Sequence, residues 1–286
     1  MSFSPIRWVG GKSWAVERFG PTLIDFLERS GGRYHEPFVG GGSMAFFVGS
    51  AYPKQIVVSD TVEPLVEFYQ ALRDDPVKLA YTVAQIGLEY GLHEEAYYAV
   101  RAERPDDPLF RAARFAYLNA LCFNGLWREN ASGEMNTPCG SRAKEGKAKL
   151  PERKAFEIAS RSLQRAEILC SDFEPVIDQA EAKDFCFVDS PYAGTFDDYS
   201  KGGFSKGDHE RLAMALYRAN ERGVTFLAFN SLAGSVEEEF GVRYWYGEWS
   251  TIVEVDEPRR VSANGNRDDA KCCVITNDSA LAEKLR

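Results

Sequence analysis

Short apolar runs separated by polar and glycine-rich stretches predict a series of β-strands along the chain. Apolar residues that recur about every 3.6 positions predict helices over most of 64–125 and over 206–222. A polar stretch rich in Gly, Asn and Ser, 124–146, predicts a loop after the first helical region. The predicted strands cover 33–36, 55–60, 167–170, 185–188, 224–229, 242–246 and 272–275.

This pattern begins with a strand, a glycine-rich turn, a helix and a second strand. The turn Pro37–Gly42 precedes the residues MAFFV, and we expect Ser43 to cap the helix that they begin. The second strand ends in Asp60. Because this order is typical of a Rossmann-like unit, the sequence predicts the α/β fold class. We expect a Rossmann-like sheet with helices on both faces, interrupted by a mostly helical insert.

The composition is that of a globular protein: of 286 residues, 44% are hydrophobic and 13% are aromatic. The longest apolar runs, such as FLAF and CCVIT, are far shorter than the ~20 residues of a membrane-spanning helix. The N-terminal residues lack the apolar core of a signal peptide, so we expect a cytoplasmic protein. The six cysteines form no CxxC motif and no Cys/His cluster, which predicts neither a metal site nor a disulfide framework.

Charge is distributed unevenly along the chain. The net charge of −9 argues against nucleic-acid binding by the chain as a whole. Between Arg111 and Arg165, however, there are 11 Lys and Arg against 5 Asp and Glu, a local excess of six positive charges. Two interpretations of this basic region remain open, a local site for a polyanion and a solvated helical face.

The first segment with candidate chemistry is the glycine-rich turn. Glycines let the main chain approach a ligand closely, and Asp60 can accept hydrogen bonds from ribose hydroxyls. Gly40–Gly42 lacks the GxGxxG spacing, which favours a smaller nucleotide-bearing cofactor over a dinucleotide. Glu36 is a second acid at the entrance of the turn. A merely tight turn remains the alternative.

The second such segment, Val188–Tyr192, follows an apolar strand, at the place where open α/β sheets bind ligands. An acid, a proline and an aromatic ring there can hold a flat heterocycle that bears an amino group. The Asp189 carboxylate and a main-chain carbonyl would accept the two N–H bonds, and the Tyr192 ring would stack on the heterocycle. A turn that only ends the strand remains the alternative.

Together these segments resemble the Dam-type DNA adenine-N6 methyltransferases, with the motif order of the α group of that family. The segments that carry the resemblance are RWVGGKSW, EPFVGGGS, SDTVEPL, NALCFNGLWRENASGEMNTPCG, DSPY, GTFDDYSKGGFSKGDHERLA and CCVITN. The resemblance covers nearly the whole chain. It implies a class I S-adenosyl-L-methionine-dependent enzyme that needs no metal. Such an enzyme would act on double-stranded DNA and associate with the nucleoid of a bacterial cell or a phage-infected host.

The implied reaction moves the methyl group of S-adenosyl-L-methionine to N6 of an adenine flipped out of duplex DNA, with GATC as the expected site. Because the N6 lone pair is delocalised into the purine ring, hydrogen bonds to Asp189 and to the Ser190 carbonyl would make the amine more nucleophilic. The implied catalytic residues are Asp189, Ser190, Pro191 and Tyr192. The implied cofactor-binding residues are Trp8, Gly10, Lys12, Glu36, Phe38, Gly40, Asp60, Asp172, Phe173 and Asp189.

The resemblance also implies a set of DNA-binding residues. Arg128 matches the family's guanine-reading arginine, and Arg7 falls where a basic residue reads the guanine before the target adenine. Phe123, Asn124 and Leu126 would fill the stack that the flipped base vacates. Phosphate contact or plain surface exposure is the alternative for each arginine. The complete implied set is Arg7, Phe123, Asn124, Leu126, Arg128, Asn130, Pro138 and Arg142.

Three departures from the family pattern leave alternatives open. DSPY stands in place of DPPY, Val62 stands where the family often has Asn, and Ser141 displaces the expected basic residue to Arg142. One alternative is a catalytically impaired homologue that binds DNA and masks sites. Others are a cytosine-N4 methyltransferase, whose tetrapeptide usually begins with Ser, and methylation of RNA or protein.

The domain organisation follows from where the basic, helical insert begins and ends. The predicted S-adenosylmethionine-binding catalytic domain comprises 1–65 and 151–286, and the predicted DNA target-recognition domain comprises 66–150. The sequence carries no prediction of oligomeric state.

Overall fold

The structure, a computed structural model, describes residues 4–192, 204–232, 241–255 and 272–285. Its strands are β1 Tyr34–Glu36, β2 Ile56–Asp60, β3 Ala166–Cys170, β4 Phe185–Val188, β5 Thr225–Ser231, β6 Thr251–Val255 and β7 Cys272–Thr276. They form a seven-stranded sheet in the order β3-β2-β1-β4-β5-β7-β6. This is the Rossmann-like order 3-2-1-4-5 followed by two antiparallel pairings of β7, with β5 and with β6. The predicted α/β fold class is therefore confirmed.

The described chain divides into two compact units. The first holds 4–13 and 39–170, so it combines β2 and β3 with the helices that the sequence predicts as an insert. The second unit holds 14–38, 171–192, 204–232, 241–255 and 272–285. The division falls between Phe38 and Val39, inside the glycine-rich turn. These boundaries differ from 1–65, 66–150 and 151–286, whose assignment to catalysis and recognition stays a prediction.

Helices dominate the first unit, as the spacing of apolar residues over 64–125 predicts. Asp75 and Asp107 accept hydrogen bonds from main-chain N–H groups at the starts of the helices Pro76–Tyr90 and Pro108–Leu121, and a proline follows each, so both helix starts are encoded locally. The Phe115 ring packs 4.6 Å from that of Trp127 and 5.5 Å from that of Phe68. The helices are α2 Ser43–Ala51, α3 Glu63–Asp74, α4 Pro76–Tyr90, α5 Glu94–Ala102, α6 Pro108–Leu121, α7 Ser141–Lys144 and α8 Arg153–Leu163.

The start of α2 corrects one prediction. Gly42, not Ser43, is the N-cap residue, and no side chain caps the helix. Gly42 has φ +67°, a left-handed conformation that favours glycine, and its carbonyl accepts the N–H of Phe46 at 2.8 Å. Because Gly42 provides the turn into the helix, Ser43 is already the first helical residue, so the prediction that it caps α2 is wrong.

Parallel pairing in the second unit aligns β4 with both β1 and β5. Phe226 and Val188 belong to its core, together with Leu216 of the predicted helix over 206–222, which the structure confirms. The helices of this part of the chain are α1 Ser13–Ser30, α9 Phe173–Asp178, α10 Lys206–Glu221, α11 Val242–Tyr246 and α12 Ser279–Leu285.

The prediction of a strand over 242–246 is wrong, because this segment forms α11. A strand with alternating burial would bury Tyr244 together with its neighbours two positions away. Instead Tyr244 is 66% exposed, whereas Val242 and Tyr246, four positions apart, are buried. The strand in this region is β6, which the sequence analysis missed. Of the motif over 194–213, residues 194–203 lie outside the described part of the chain.

Candidate active site

Asp60 ties the glycine-rich turn to the end of β2 within the first unit. Its Oδ2 accepts the N–H of Gly40 at 3.0 Å, and its Oδ1 accepts the N–H of Val62 at 3.0 Å. Burial raises the pKa of the Asp60 carboxyl, and the hydrogen bonds from Val62, Gly40 and Thr61 oppose that rise. A carboxylate offers about four acceptor positions, so these three main-chain donors leave room for a further hydroxyl donor.

Trp8 lies against the same turn. Gly40 has φ +44°, and a Cβ on it would come within 2.8 Å of the indole Nε1 of Trp8. A Cβ on Gly41 would come equally close to the Trp8 Cβ, at 2.8 Å. The Tyr69 hydroxyl, which the sequence analysis did not single out, donates to the Gly40 carbonyl at 2.6 Å. The structure therefore brings Trp8, Gly40 and Asp60 together, and no side chain fits on either glycine.

Gly10 and Lys12 form a small turn of their own. Lys12 is buried, and its Nζ donates to the Gly10 carbonyl at 3.0 Å. Gly10 has φ +79°, the left-handed conformation that the GGK sequence accommodates. The hydrogen bond to Gly10 fixes the position of the Lys12 ammonium. Trp8 is four residues earlier in the sequence.

Two acids of the second unit lie at the carboxyl ends of neighbouring parallel strands. Tyr34 of β1 pairs with Phe185 of β4, so Glu36 at the end of β1 and Asp189 after β4 reach the same edge. Glu36 is 3% exposed and accepts the Tyr34 hydroxyl at 2.6 Å. Burial, then the Glu36 carboxylate and its hydrogen bond, and more weakly Asp189, raise the pKa of Tyr34 well above its ordinary value. This edge thus holds one buried acid, Glu36, and one partly buried acid, Asp189.

The predicted catalytic tetrapeptide follows β4 directly. Asp189, Pro191 and Tyr192 are partly buried, and Ser190 is 3% exposed. The Tyr192 hydroxyl lies 3.5 Å from the Sγ of Cys272, the first residue of β7. The tetrapeptide is therefore held at both ends, by β4 and by β7.

The aromatic residues predicted for the cofactor site pack on each other. The Phe38 and Phe173 rings are stacked, with centroids 5.3 Å apart, and Phe204 packs against both. Asp172 accepts the N–H of Glu174 and forms an ion pair of 2.8 Å with Arg211, whose guanidinium lies over the Phe173 ring. Phe173 belongs to the hydrophobic core, so its ring has a structural role whatever it contacts besides.

The predicted DNA-binding residues lie in the first unit, where the main chain of Arg7 contacts the last turn of α6 and the residues that follow it. The Arg7 N–H donates to Asn119 Oδ1 at 3.0 Å, and Asn119 Nδ2 donates to the Arg7 carbonyl at 2.8 Å. A Cβ on Gly125 would come within 2.4 Å of the Arg7 Cβ. The structure therefore places Arg7 beside the segment that contains Phe123 and Leu126, with its side chain exposed.

Phe123 and Asn124 form the exposed tip of that segment. Phe123 is 42% exposed, and its N–H donates to the Pro138 carbonyl at 3.0 Å. Asn124 has φ +53°, a conformation rare for residues other than glycine. Leu126, which follows, is half-buried. Asn adopts this left-handed conformation more readily than most residues, and the turn leaves the Phe123 ring exposed at the tip of the loop.

The remaining predicted DNA contacts differ in how they are held. Arg128 Nε donates to Asn136 Oδ1 at 2.8 Å, which fixes the guanidinium. Asn130 Oδ1 accepts the N–H groups of Ser132 and Glu134, so this side chain shapes a turn. Arg142 is exposed. The structure thus orients Arg128 but leaves Arg142 at the surface.

A family model described as D12 class N6 adenine-specific DNA methyltransferase matches residues 8–261. The match spans the glycine-rich turn, the segment after α6 and the tetrapeptide after β4. The chain belongs to the D12 class of N6 adenine-specific DNA methyltransferases. Membership makes it an adenine-specific DNA methyltransferase and implies S-adenosylmethionine as methyl donor and DNA as substrate.

Curated relatives agree with this assignment. The D12 methyltransferase is 30% identical to the type II methyltransferase M.MjaIII of Methanocaldococcus jannaschii over 92% of this chain and 93% of that protein. It is 30% identical to a DNA adenine methylase of Vibrio cholerae over 91% of this chain and 90% of the relative. The DNA N-6-adenine-methyltransferase of Escherichia phage P1 is 35% identical over 82% of this chain, which corresponds to 30% of the phage protein.

Several contacts of the D12 methyltransferase site were not predictable from its sequence. Tyr34, Tyr69, Asn119 and Asn136 each hold a predicted site residue by a hydrogen bond. Each of these residues belongs to the regular pattern of a strand or a helix, or lies in a polar loop. No local signal in the sequence therefore distinguishes them from their neighbours. Among the described residues, no group of three or more His, Cys, Asp or Glu side chains could hold a metal ion. Within the same ranges, no helix has both the length and the apolarity to cross a membrane.

Proposed function

We propose that this methyltransferase moves the methyl group of S-adenosylmethionine to N6 of an adenine flipped out of duplex DNA, at GATC sites. The observation that carries the proposal is the edge formed by β1 and β4. Strand order reverses between these two parallel strands, and open α/β sheets bind ligands at the carboxyl ends of such strands. Glu36 and the Asp189–Tyr192 tetrapeptide both lie there, which gives a cofactor acid and a base-binding acid on one edge.

The donor and acceptor groups of the turn fit an adenosine-bearing methyl donor. Asp60 keeps an acceptor position for a ribose hydroxyl while it holds the N–H groups of Gly40, Val62 and Thr61. We assign cofactor binding to Trp8, Gly10, Lys12, Glu36, Phe38, Gly40, Asp60, Asp172, Phe173 and Asp189. The bound donor supplies an electrophilic methyl group on a sulfonium.

Asp189 and Ser190 act on the target amine. The Asp189 carboxylate accepts one N6 hydrogen and the Ser190 carbonyl accepts the other, which draws the lone pair out of the purine ring. The N6 nitrogen would then bond to the methyl carbon as the carbon–sulfur bond breaks and leaves its electron pair on sulfur, and the positively charged N6 would release one proton to solvent. Pro191 fixes the chain direction after Ser190, and the Tyr192 ring stacks on the base.

DNA recognition is assigned to the segment after α6 together with Arg7. Phe123, Asn124 and Leu126 fill the space that the flipped base leaves. Arg128 and Arg7 read guanines, since an arginine is a bidentate donor to the major-groove edge of guanine. Asn130, Pro138 and Arg142 support this surface, by shaping the loop or by contacting phosphate. In this proposal 66–150 is the recognition domain, and 1–65 with 151–286 is the catalytic domain.

The test is transfer of label from tritiated S-adenosylmethionine to unmethylated DNA, followed by digestion to nucleosides. Label in N6-methyladenosine within GATC duplexes, and much less in duplexes with one base pair of that site changed, supports the proposal. Label in N4-methylcytosine, label only in RNA or protein, or no label at all contradicts it.

Asp60→Asn is expected to weaken cofactor binding by about tenfold, because an amide cannot accept from the main chain and from ribose at both oxygens. Calorimetric titration with S-adenosylmethionine alone measures this affinity. Asp25→Asn, an exposed change on α1, is the control and should leave the affinity unchanged. Equal affinities of wild type and Asp60→Asn would contradict the assigned role.

Arg128→Ala is expected to lower discrimination at one base pair of the site by about 1–3 kcal/mol, because a bidentate guanine contact is lost. Methylation rates on duplexes with single base-pair changes measure it. Arg142→Ala is the matched control: loss of a phosphate contact weakens all sequences alike and reduces the salt slope by about one. An Arg128→Ala enzyme that keeps full discrimination would contradict guanine reading.

A further inference from the structure

Ser190 carries a buried hydroxyl that has no hydrogen-bond partner among the residues that the structure describes. Ser190 as a whole is 3% exposed. A buried hydroxyl without a partner loses its hydrogen bonds to water and gains none in return, which costs free energy. Such groups are uncommon in folded proteins, and each one calls for an explanation.

The position of this hydroxyl indicates what could satisfy it. Ser190 lies between Asp189 and Pro191, at the edge where β1 and β4 end. Pro191, the residue after Ser190, has no N–H, so its main chain cannot donate a hydrogen bond to the Ser190 hydroxyl. The Ser190 carbonyl already has a role in the proposed function as an acceptor for the target amine. The side-chain hydroxyl of the same residue is not used by that mechanism.

We propose that the Ser190 hydroxyl donates a hydrogen bond to a ring nitrogen of the target adenine. The inference rests on the proposed function and adds a specificity-determining contact to it. Both N6 hydrogens are taken by the Asp189 carboxylate and the Ser190 carbonyl. The polar atoms that remain beside the amine are the ring nitrogens N1 and N7, which only accept. A hydroxyl supplies the missing donor, which neither a carboxylate nor a carbonyl can do.

This contact gives the serine of DSPY a function that proline cannot have. A site whose buried polar group is satisfied only by the correct ligand discriminates strongly against ligands that lack the matching atom. The same group should therefore have opposite effects in the two states of the protein. It destabilises the protein without substrate and contributes to binding of the reacting base.

The first experiment couples a protein change to a base change. Wild type and Ser190→Ala are assayed on duplexes that carry adenine, 7-deazaadenine or 1-deazaadenine at the target position. On adenine, Ser190→Ala is expected to lower kcat/KM about tenfold. One deaza base should lower kcat/KM of the wild type by a similar factor and have little further effect on Ser190→Ala. If both deaza bases affect the two proteins by equal factors, the hydroxyl does not contact the base and the inference is overturned.

The second experiment measures stability without substrate. Ser160 is the matched control: it is also 3% exposed, but its hydroxyl donates to the Arg73 carbonyl at 3.3 Å and accepts from Gln164 Nε2 at 3.1 Å. Ser160→Ala should lower the Tm, because it leaves its partners unsatisfied. Ser190→Ala should leave the Tm unchanged or raise it. A fall in Tm like that of Ser160→Ala would show a partner within the protein and overturn the inference.

The two proposals fail in different ways. A wild-type protein that places no label in adenine overturns the proposed function and this inference together. A wild-type protein that methylates adenine but shows no coupling between Ser190 and a ring nitrogen overturns the inference alone.

Discussion

Replacing Asp189 by Ala is expected to lower the rate of methyl transfer by about 10³-fold. The partly buried carboxylate follows β4, at an edge that it shares with the buried Glu36, so water screens its charge less than at the surface. Without it, the target amine loses an acceptor and its lone pair stays in the purine ring. Single-turnover rates with labelled S-adenosylmethionine measure the loss.

Two comparisons distinguish an effect on the methyl-transfer step from an effect on cofactor binding or on folding. The affinity of Asp189→Ala for S-adenosylmethionine should change by only a few-fold, so the effect appears in the rate constant. Asp25→Ala, at an exposed position of α1, should transfer methyl groups at the wild-type rate. An Asp189→Ala protein that retains a tenth or more of the wild-type rate would sink the assigned role.

Replacing Asp184 by Ala is expected to lower the free energy of unfolding by about 3 kcal/mol. The Asp184 side chain is 5% exposed and accepts from His35 Nε2 at 3.0 Å. It also accepts the N–H groups of Arg33 at 2.7 Å and Glu181 at 3.1 Å. Because β1 and the residues before β4 depend on this one carboxylate, its removal leaves several buried donors unsatisfied. Denaturant unfolding measures the change.

The pH dependence of this difference provides an independent check. Burial alone would raise the pKa of Asp184, but hydrogen bonds from His35, Arg33 and Glu181 outweigh it and lower the pKa from 3.8 to about 2. The ionised carboxylate therefore stabilises the folded state above about pH 4, and this contribution falls as the pH drops from about 4 to about 2. The stability difference between wild type and Asp184→Ala should follow that course.

Asp178→Ala is the control for both measurements. Asp178 pairs with Arg218 at 2.9 Å, but both side chains are 40% exposed. An exposed ion pair contributes about 0–1 kcal/mol, so this change should have a small effect. If Asp178→Ala and Asp184→Ala destabilise the protein equally, the buried cluster is not the source of the stability.

The sequence predicts the strands and helices that have a strong local signal. Buried β4 is a continuous apolar run, and α10 has both apolar periodicity and a capping serine, Ser205. The segment 242–246 misleads because its aromatic and β-branched residues favour strands, whereas the packing of Val242 and Tyr246 selects a helix. Tertiary contacts determine the secondary structure of this segment, and the local sequence pattern does not show them.

For the candidate site, the sequence motifs name the candidate residues but not the residues that hold them in place. The juxtaposition of Asp60 with Gly40 follows from the strand–turn–helix order, and the structure places them in contact. The support of Arg7 by Asn119 joins positions that are 112 residues apart, so it depends on the fold. Such contacts require coordinates.

The contacts of Arg7 with Asn119 and Gly125 have a consequence for protein engineering. Arg7 belongs to the first residues of the chain, yet its backbone is bonded to the base of the loop that carries Phe123. In the proposed function, sequence readout therefore combines two stretches of polypeptide that are distant in sequence. A chimera that grafts the loop of a relative onto this protein must therefore also carry the relative's amino-terminal residues. Otherwise the grafted loop will lack the main-chain contacts that hold it in place.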